Sequence, residues 1–252
     1  MLANLCFLGG TCLRIVHGNR RFSEDLDFDN RGLKKDQFED LANTIRIRLE
    51  REGYKVELRT MVRGAWHCYI KFPGLLYQEG LSGHHVEKIL IQTDLESQQV
   101  DYEPERFVLN RYEVFTSILT TPLVILLSQK LYTIINRKRK KGRDFYDVVF
   151  LLGKGMQPDY SFLAKKANIS SPEALKQKIM EICQSVNMET MAQEVEPFLF
   201  AGQNTKGIIR FEKYFHKSNF RPGKIVKQVL SKSPESFPRI FGRSLGQAGT
   251  DE

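Results

Sequence analysis

The stretch LGGTCLRIVHGNRRFSEDLDF, residues 8–28, decides the fold of the first part of the chain. It joins a turn of small residues, a short helical pattern and a strand with carboxylates on alternate positions. A strand at its end places Asp25 and Asp27 on one face and the apolar residues Leu26 and Phe28 in the core. Two carboxylates this close repel each other unless a cation lies between them. Mg²⁺ fits such a pair because it binds through one or two carboxylates, waters and substrate phosphates.

The acidic residues also have a purely structural interpretation. Charged side chains often line the solvated face of an edge strand, where they prevent aggregation. Glu24, Asp25, Asp27 and Asp29 would then be surface residues. These four residues alone do not decide between the two interpretations.

The preceding turn favours a ligand site. Residues 5–8 form a short apolar run typical of a buried strand, and Gly9 and Gly10 allow the backbone to turn sharply and approach a ligand. Thr11 then caps or opens a helix, whose apolar pattern covers residues 12–16. The free amides at the start of such a helix attract phosphate. An ordinary strand-to-helix turn uses the same glycines, so the turn by itself does not establish a phosphate site.

Three arginines follow the turn, at positions 14, 20 and 21. A guanidinium can hold phosphate oxygens, and it can equally pair with a nearby carboxylate or remain surface charge. The site hypothesis therefore depends on the whole set of residues and not on any one of them.

Two groups of residues together resemble the AbiEii/AbiGii toxin-type nucleotidyltransferases, a branch of the polymerase beta superfamily. The first group is GGT at 9–11, LR at 13–14 and RFSEDLDF at 21–28, and the second is LLSQKL at 126–131 and RDFYDV at 143–148. Their order and approximate spacing match over residues 5–155. Two composite motifs are far more specific than a single short pattern.

The resemblance implies an α+β fold, with a small polymerase beta-like mixed sheet and flanking helices followed by a mainly helical C-terminal domain. The hydrophobic pattern agrees with this order. It predicts a helix at 34–53, strands at 54–62, 65–72 and 86–94, and helices at 123–135, 143–152, 172–186 and 208–216. We predict a nucleotidyltransferase domain over residues 1–115, a helical domain over 116–230 that contributes Lys130 and Asp144 to the site, and a disordered tail over 231–252.

The reaction that the resemblance implies is transfer of a nucleoside monophosphate from a nucleoside triphosphate, with Mg²⁺ or Mn²⁺ as the cofactor. The predicted metal ligands are Asp25, Asp27 and, more weakly motivated, Asp94, which follows the apolar run 89–91 and has a turn or cap role as its alternative. The predicted catalytic residues are Asp25, Asp27, Lys130 and Asp144. The predicted nucleotide-binding residues are Gly9, Gly10, Thr11, Arg14, Ser23, Lys130 and Arg143.

Lys130 lies in an apolar helical stretch, where an unpaired ammonium is costly to bury. In the functional interpretation its ammonium contacts the triphosphate. In the alternative, the flexible side chain extends from the helix to water. Asp144 and Asp147 are three residues apart and share a helix face. We place Asp144 in the site, although it could be a first-turn helix acid, and treat Asp147 as structural support. Gln129 stands where the family usually has Glu, which removes a partner charge for Lys130.

The net charge of +8 and the pI near 9.3 suit an anionic partner. Residues 137–143 carry six cations in seven positions, a run that is usually a solvated loop but that could also guide RNA. Residues 208–227 mix basic and aromatic side chains that could hold an unstacked RNA end. The helical spacing of Phe211, Tyr214 and Phe215 favours packing instead.

Composition excludes several classes of protein. A hydrophobic content of 41% in 252 residues is typical of a globular chain, and no apolar stretch approaches a membrane span. The N-terminus lacks a secretory pattern, and four scattered cysteines without zinc-like spacing predict reduced thiols in the cytoplasm. His84 and His85 are expected in a surface loop.

The leading hypothesis is a metal-dependent nucleotidyltransferase, the toxin of a toxin–antitoxin or abortive-infection (phage defence) system. Its partners would be a nucleoside triphosphate, a tRNA or other RNA end as acceptor, and a cognate antitoxin. Nucleotidylation of a protein, or a degenerate module that binds RNA or a partner, are the alternatives. Only eight residues precede Gly9, where family members generally have a helical segment, so we expect a truncated or misassigned start.

Overall fold

A mixed sheet of seven strands organises the first half of the chain in the computed structural model, which describes residues 4–111 and 113–221. The strands are β1 Leu5–Leu8, β2 Leu26–Asn30, β3 Glu57–Arg63, β4 Ala65–Pro73, β5 Lys88–Glu96, β6 Glu105–Arg111 and β7 Val114–Thr120, and they lie in the order β3-β4-β5-β2-β1-β7-β6. The β1–β7 and β2–β5 pairs are parallel, and the other four pairs are antiparallel. The predicted mixed sheet with flanking helices is confirmed. β2 lies in the middle of the sheet, so the edge-strand interpretation of its acidic residues is wrong.

One face of the β3–β4–β5 half is covered by helix α2 (Lys35–Arg51). Phe38 and Ala42 of α2 pack on alternate residues of the strands, among them Cys68, Ile70 and Leu95. This spacing follows from the period of two in a strand and about 3.6 in a helix. The short helix α3 (Leu75–Gln78) leads from β4 towards β5.

Helix α1 (Gly9–Ile15) begins two residues before the predicted position. Gly9 has a φ of +78°, which a glycine adopts without strain. Thr11 is not a cap; its hydroxyl donates a hydrogen bond of 2.5 Å to the carbonyl oxygen of Asp25. The hydroxyl therefore joins the helix to the chain that enters β2.

The second half is helical, as predicted. Its helices are α4 Leu123–Asn136, α5 Gly142–Gly153, α6 Tyr160–Ala167, α7 Pro172–Ser185, α8 Met188–Val195, α9 Lys206–Ile209 and α10 Phe211–Lys217. The predicted helix at 208–216 is divided at Arg210 between α9 and α10. Phe211 and Phe215 are buried, as packing requires, whereas Tyr214 is 39% exposed.

The larger of the two hydrophobic clusters spans both halves. Cys6 and Leu13 pack in the same cluster as Leu127 of α4 and Phe145 of α5. β7 crosses the predicted boundary between residues 115 and 116, and the division into two domains stays a prediction. The predicted tail at 231–252, together with Lys224 and Lys227, lies outside the described residues.

A short antiparallel pairing also joins the halves. Arg21 and Leu199 form a β-bridge, the backbone amide of Phe22 donates to the carbonyl of Phe198, and the amide of Phe200 donates to Arg20. This pairing, called here the 20–22/198–200 clasp, holds the loop between α1 and β2 against the segment that follows α8. Among the helices in the described part of the chain, none is long and apolar enough to cross a membrane.

Candidate functional site

A row of polar side chains crosses the middle of the sheet. Asp27 of β2 is in register with Asp94 of β5, and Asp94 is in register with His67 of β4. Residues in register point to the same face, so the three side chains lie next to one another. Asp25 comes two residues before Asp27. The two carboxylates predicted from the alternating pattern are therefore joined by a third from a neighbouring strand.

The Gly9–Gly10 turn lies directly against this row. A Cβ atom added to Gly9 would overlap the Oδ2 atom of Asp27, and one added to Gly10 would lie 2.6 Å from both Arg21 Nη2 and Ser23 Oγ. A side chain at Gly9 would displace the Asp27 carboxylate, and one at Gly10 would displace the ends of the Arg21 and Ser23 side chains. The sequence motif of glycines followed by carboxylates is contiguous in three dimensions, with Ser23 between the two parts.

The electrostatic environment of Asp27 disfavours its charged form. Its pKa is raised to about 6, mainly by burial and also by the carboxylates of Asp94 and Asp25, while the charges of Lys130 and Arg143 act to lower it. A nearby cation would therefore stabilise the ionised form of Asp27.

Asp94 is oriented by two side chains on its own face of the sheet. His67 Nδ1 lies 2.7 Å from its Oδ1 atom, and the Gln92 amide donates to both carboxylate oxygens at 2.9 and 3.0 Å. Neither His67 nor Gln92 is predicted as a site residue from the sequence. The strand alternation around them would have placed both on the polar face, but pairing of β4 with β5 is needed to bring His67 to Asp94.

Asp147 of α5 is the centre of a buried polar network. It is fully buried, and it accepts hydrogen bonds from Asn19 Nδ2 at 2.8 Å and from Arg21 Nε and Nη2 at 2.7 and 2.6 Å. Lys130 Nζ lies 2.8 Å from Oδ2, the oxygen that Arg21 Nη2 also binds. Burial acts to raise the pKa of Asp147, but the charges of Lys130 and Arg21 outweigh burial and lower it. Asp147 stays ionised and holds α4, α5 and the loop after α1 together.

Lys130 extends from α4 towards this network and not to bulk water. Its ammonium contacts Asp147 and, at 3.4 Å, the Oδ1 atom of Asp144, and its side chain is 15% exposed. The Oδ2 atom of Asp144 pairs with Arg137 Nη1 at 2.5 Å. Lys130 thus has carboxylate partners even though Gln129 replaces the usual Glu.

A cavity of about 300 Å³ opens beside the glycine turn. Four of its lining residues are cations, two are acids and two are aromatic, with one serine: Arg21, Arg139, Lys141, Arg143, Glu24, Glu194, Phe22, Phe198 and Ser23. Ser23 links the cavity to Gly10. Of the cations, Arg21 is bound to Asp147 and Arg139 to Glu194 at 3.4 Å, whereas Arg143 makes no ion pair with the described residues.

The donor set can be compared with the needs of a divalent cation. Within residues 4–111 and 113–221, no group of three or more His, Cys, Asp or Glu side chains forms a ready metal cage. Mg²⁺ does not require such a cage, because it keeps several waters and uses one or two carboxylates plus substrate phosphates. Asp25 and Asp27, with the raised pKa of Asp27, fit that mode of binding.

A family model described as nucleotidyl transferase AbiEii toxin, type IV toxin–antitoxin system, matches residues 3–202. The chain belongs to this family. The resemblance inferred from the two composite motifs is thereby confirmed, and the chain is a member of a nucleotidyltransferase toxin family.

Two solved structures are similar to this AbiEii-family chain. They are JHP933 from Helicobacter pylori and a proposed nucleotidyltransferase from the same organism, each at 14% identity and a TM-score of 0.48. Both alignments cover 85% of this chain, and they cover 84% and 87% of the relatives. A search of curated proteins finds no match.

Most residues predicted from the AbiEii resemblance come together in the structure. Gly9, Gly10, Ser23, Asp25, Asp27, Asp94, Lys130 and Arg143 surround the glycine turn and the carboxylate row. Arg14 does not join them, because its guanidinium lies over the rings of Phe22 and Phe200 at 5.1 and 5.3 Å. The Thr11 hydroxyl is occupied by a backbone carbonyl.

The cations of the basic run at 137–143 divide into exposed residues and residues that bind other groups of the protein. Lys138, Arg139 and Lys141 are exposed in the loop between α4 and α5, as expected of a solvated run. Arg137 is half-buried on Asp144, and the Lys140 ammonium donates to the carbonyls of Ile135 and Arg137. Part of the run is therefore structural.

Proposed function

We propose that this AbiEii-family chain is a metal-dependent nucleotidyltransferase that transfers a nucleoside monophosphate from a nucleoside triphosphate to an RNA end, such as that of a tRNA. The observation that carries the proposal is the contact of Gly9 with Asp27 beside Asp94, with a cationic cavity at Ser23. Carboxylates for a metal and cations for phosphates then lie on the two sides of one glycine turn.

The nucleoside triphosphate would lie across this turn. Its α-phosphate sits at Asp25 and Asp27, and its β- and γ-phosphates extend past Gly10 and Ser23 into the cavity. Arg143 is the cation best placed to receive them, because its guanidinium makes no ion pair with the described residues and lines the cavity. Planar guanidinium groups bind phosphate oxygens in pairs.

Asp25 and Asp27 would hold Mg²⁺ or Mn²⁺, with Asp94 next to them. When bound, the metal orients the attacking and leaving oxygens and neutralises the charge that develops on the phosphate. The chain itself positions the reactants: Gly9 and Gly10 admit the phosphates close to the backbone, and Lys130 supplies positive charge near Asp27. Asp147 and Asp144 keep Lys130 in place.

The reaction forms one bond and breaks one bond. The acceptor hydroxyl oxygen bonds to the α-phosphorus, the bond from that phosphorus to the bridging oxygen breaks, and pyrophosphate leaves while the hydroxyl proton passes to water. The net charge of +8 favours RNA as the acceptor. As a toxin, the enzyme would inactivate the RNA it modifies, and a cognate antitoxin would counteract it.

The proposal is tested by incubating the purified protein with Mg²⁺, each α-labelled nucleoside triphosphate and total tRNA. We expect labelled RNA from the wild type and none from Asp27→Asn or in the presence of a chelator. Asp40→Asn, an exposed carboxylate on α2, is the matched control and should label RNA like the wild type. Label on a protein would favour protein nucleotidylation, and no label on any acceptor would favour a module that only binds.

A further inference from the structure

The face of β3, β4 and β5 that carries His67 and Asp94 is turned away from α2. In β4, Trp66, Cys68, Ile70 and Phe72 pack towards α2, so the alternate residues point to the other side. The outer positions on that side are open to solvent: Arg59 and Lys71 are exposed, and Leu90 is 47% exposed. This side is called here the open face, and it is defined by Arg59, His67, Tyr69, Lys71, Gln92 and Asp94.

The strand register makes the open face continuous with the carboxylate row. Arg59, Tyr69 and Gln92 form one cross-strand line, and Met61, His67 and Asp94 form the next. The second line continues to Asp27 in β2. Neighbouring strands lie about 4.8 Å apart, so His67 lies two strands, or about 10 Å, from Asp27.

Two rings form a platform on the open face. His67 and Tyr69 have ring centroids 6.0 Å apart and planes inclined by 25°. Both are half-buried, so each ring keeps an accessible surface. Unpaired bases stack on aromatic rings displayed by a β-sheet, and every base offers such a surface.

Cations flank the platform. Arg59 is beside Tyr69, and Lys71 follows Tyr69 on the same face. The carboxylate of Glu57 is bound to Lys88 at 2.8 Å, and in the described part of the chain neither Arg59 nor Lys71 is within ion-pair distance of a carboxylate. These two charges are available for phosphates of a single strand.

We propose that the open face binds the unpaired end of the acceptor RNA, with bases on His67 and Tyr69 and phosphates on Arg59 and Lys71. The terminal hydroxyl then reaches Asp25 and Asp27 from the side opposite the cationic cavity. This proposal rests on the proposed function, and it assigns the acceptor to one side of the carboxylate row and the triphosphate to the other.

The test measures RNA binding without catalysis. A fluorescent single-stranded RNA of about ten nucleotides is titrated with protein in chelator, so no transfer occurs. We expect Tyr69→Leu to weaken binding by roughly five- to a hundredfold and Tyr69→Phe to bind like the wild type, because only the ring is needed for stacking. Arg59→Gln with Lys71→Gln should weaken binding and lower the slope of log affinity against log salt by about 0.7 for each phosphate that is no longer neutralised.

The matched control is Arg51→Gln with Lys165→Gln, which removes two exposed charges from α2 and α6. It should bind RNA with nearly wild-type affinity and slope. Melting temperatures of all variants identify any that fail to fold. If Tyr69→Leu fails to fold, the Arg59 and Lys71 variant decides the result, and if that variant fails, Tyr69→Leu decides it.

The outcomes separate this proposal from the proposed function. Equal RNA affinity for the wild type and the open-face variants would overturn the open-face site even if the enzyme labels RNA. Label on a protein without competition by RNA would likewise overturn it while leaving nucleotidyl transfer intact. A higher KM for RNA in Tyr69→Leu, with the KM for the triphosphate unchanged, would support it.

Discussion

Lys130 and Asp147 form an ion pair in which Nζ lies 2.8 Å from Oδ2, inside the contact between α4 and α5. Arg21, which belongs to the loop before β2, binds both oxygens of the same carboxylate. One buried negative charge therefore fixes two cations that come from different parts of the chain. The position of Lys130 beside Asp27 depends on this arrangement.

Asp147→Asn should destabilise the protein strongly. Its amide leaves Arg21 and Lys130 without their shared counter-charge, and breaking a buried pair in this way costs about 3–5 kcal/mol. Urea denaturation of both proteins measures the loss. Glu50→Gln, which breaks the exposed pair with Arg46, should change the free energy of unfolding by less than about 1 kcal/mol. Similar values for the two variants would contradict the role of Asp147.

Gly9→Ala should lose activity by about a hundredfold or more, because the added methyl group displaces Asp27 from its position. Gly9 also has a positive φ, so part of the effect is backbone strain. Gly18 has the same φ of +78° but nothing within 4 Å of an added Cβ. Gly18→Ala should therefore have the same backbone strain, which lowers the free energy of unfolding by about 1–2 kcal/mol, but the protein should remain active. Equal activities of the two variants in the labelling assay would show that the contact with Asp27 is unimportant.

Asp27→Asn should stabilise the metal-free protein at neutral pH. The folded-state pKa of Asp27 is raised from 3.8 to about 6, so the folded protein binds this proton more tightly than the unfolded chain does. Stability contributed by the protonated form is lost as pH rises from about 4 to about 6. The variant's free energy of unfolding, measured with urea in chelator, should equal that of the wild type below about pH 4 and exceed it at pH 7 by about 3 kcal/mol. A constant difference across this range would rule out the raised pKa.

Arg143→Gln should raise the KM for the nucleoside triphosphate by roughly tenfold or more, because the variant cannot donate a charged hydrogen bond to phosphate. Lys138→Gln removes an exposed charge from the same basic run without changing the cavity lining. It should leave this KM unchanged. Initial rates at several triphosphate concentrations give the KM of each variant. An equal rise in KM for both would indicate that the positive charge of the basic run acts at a distance, and that Arg143 does not contact the triphosphate.

Local pattern predicted the elements with strong periodicity. The apolar stripe of α2, the strands β3 to β5 and the helices α4, α5 and α7 are all present within a few residues of the expected limits. β6 and β7 were missed because Val108, Val114 and Phe115 are apolar but exposed, which obscures the alternation of a half-buried strand. The short helices α6 and α8 were also missed, although Asp159 and Asn187 cap them and were visible signals.

The candidate site was predictable where its residues are close in sequence. The glycine turn and the carboxylates of β2 could be identified because a strand, a turn and a helix bring them together locally. The binding of Arg21 to Asp147 joins residues 126 positions apart, and no local rule predicts it. The sequence predicts Asp147 as structural support, but it does not indicate that Asp147 is the carboxylate nearest to Lys130. The pairing of His67 with Asp94 likewise requires the β4–β5 register.

The 20–22/198–200 clasp has a consequence for synthesis of the protein. The loop that carries Ser23 to the glycine turn obtains backbone partners from Phe198 and Phe200. A nascent chain on the ribosome cannot form these hydrogen bonds until residues 198 and 200 have been translated. The loop beside the candidate site therefore lacks these backbone partners while a chain of this toxin family is being made, and it lacks them permanently in a product terminated before these residues.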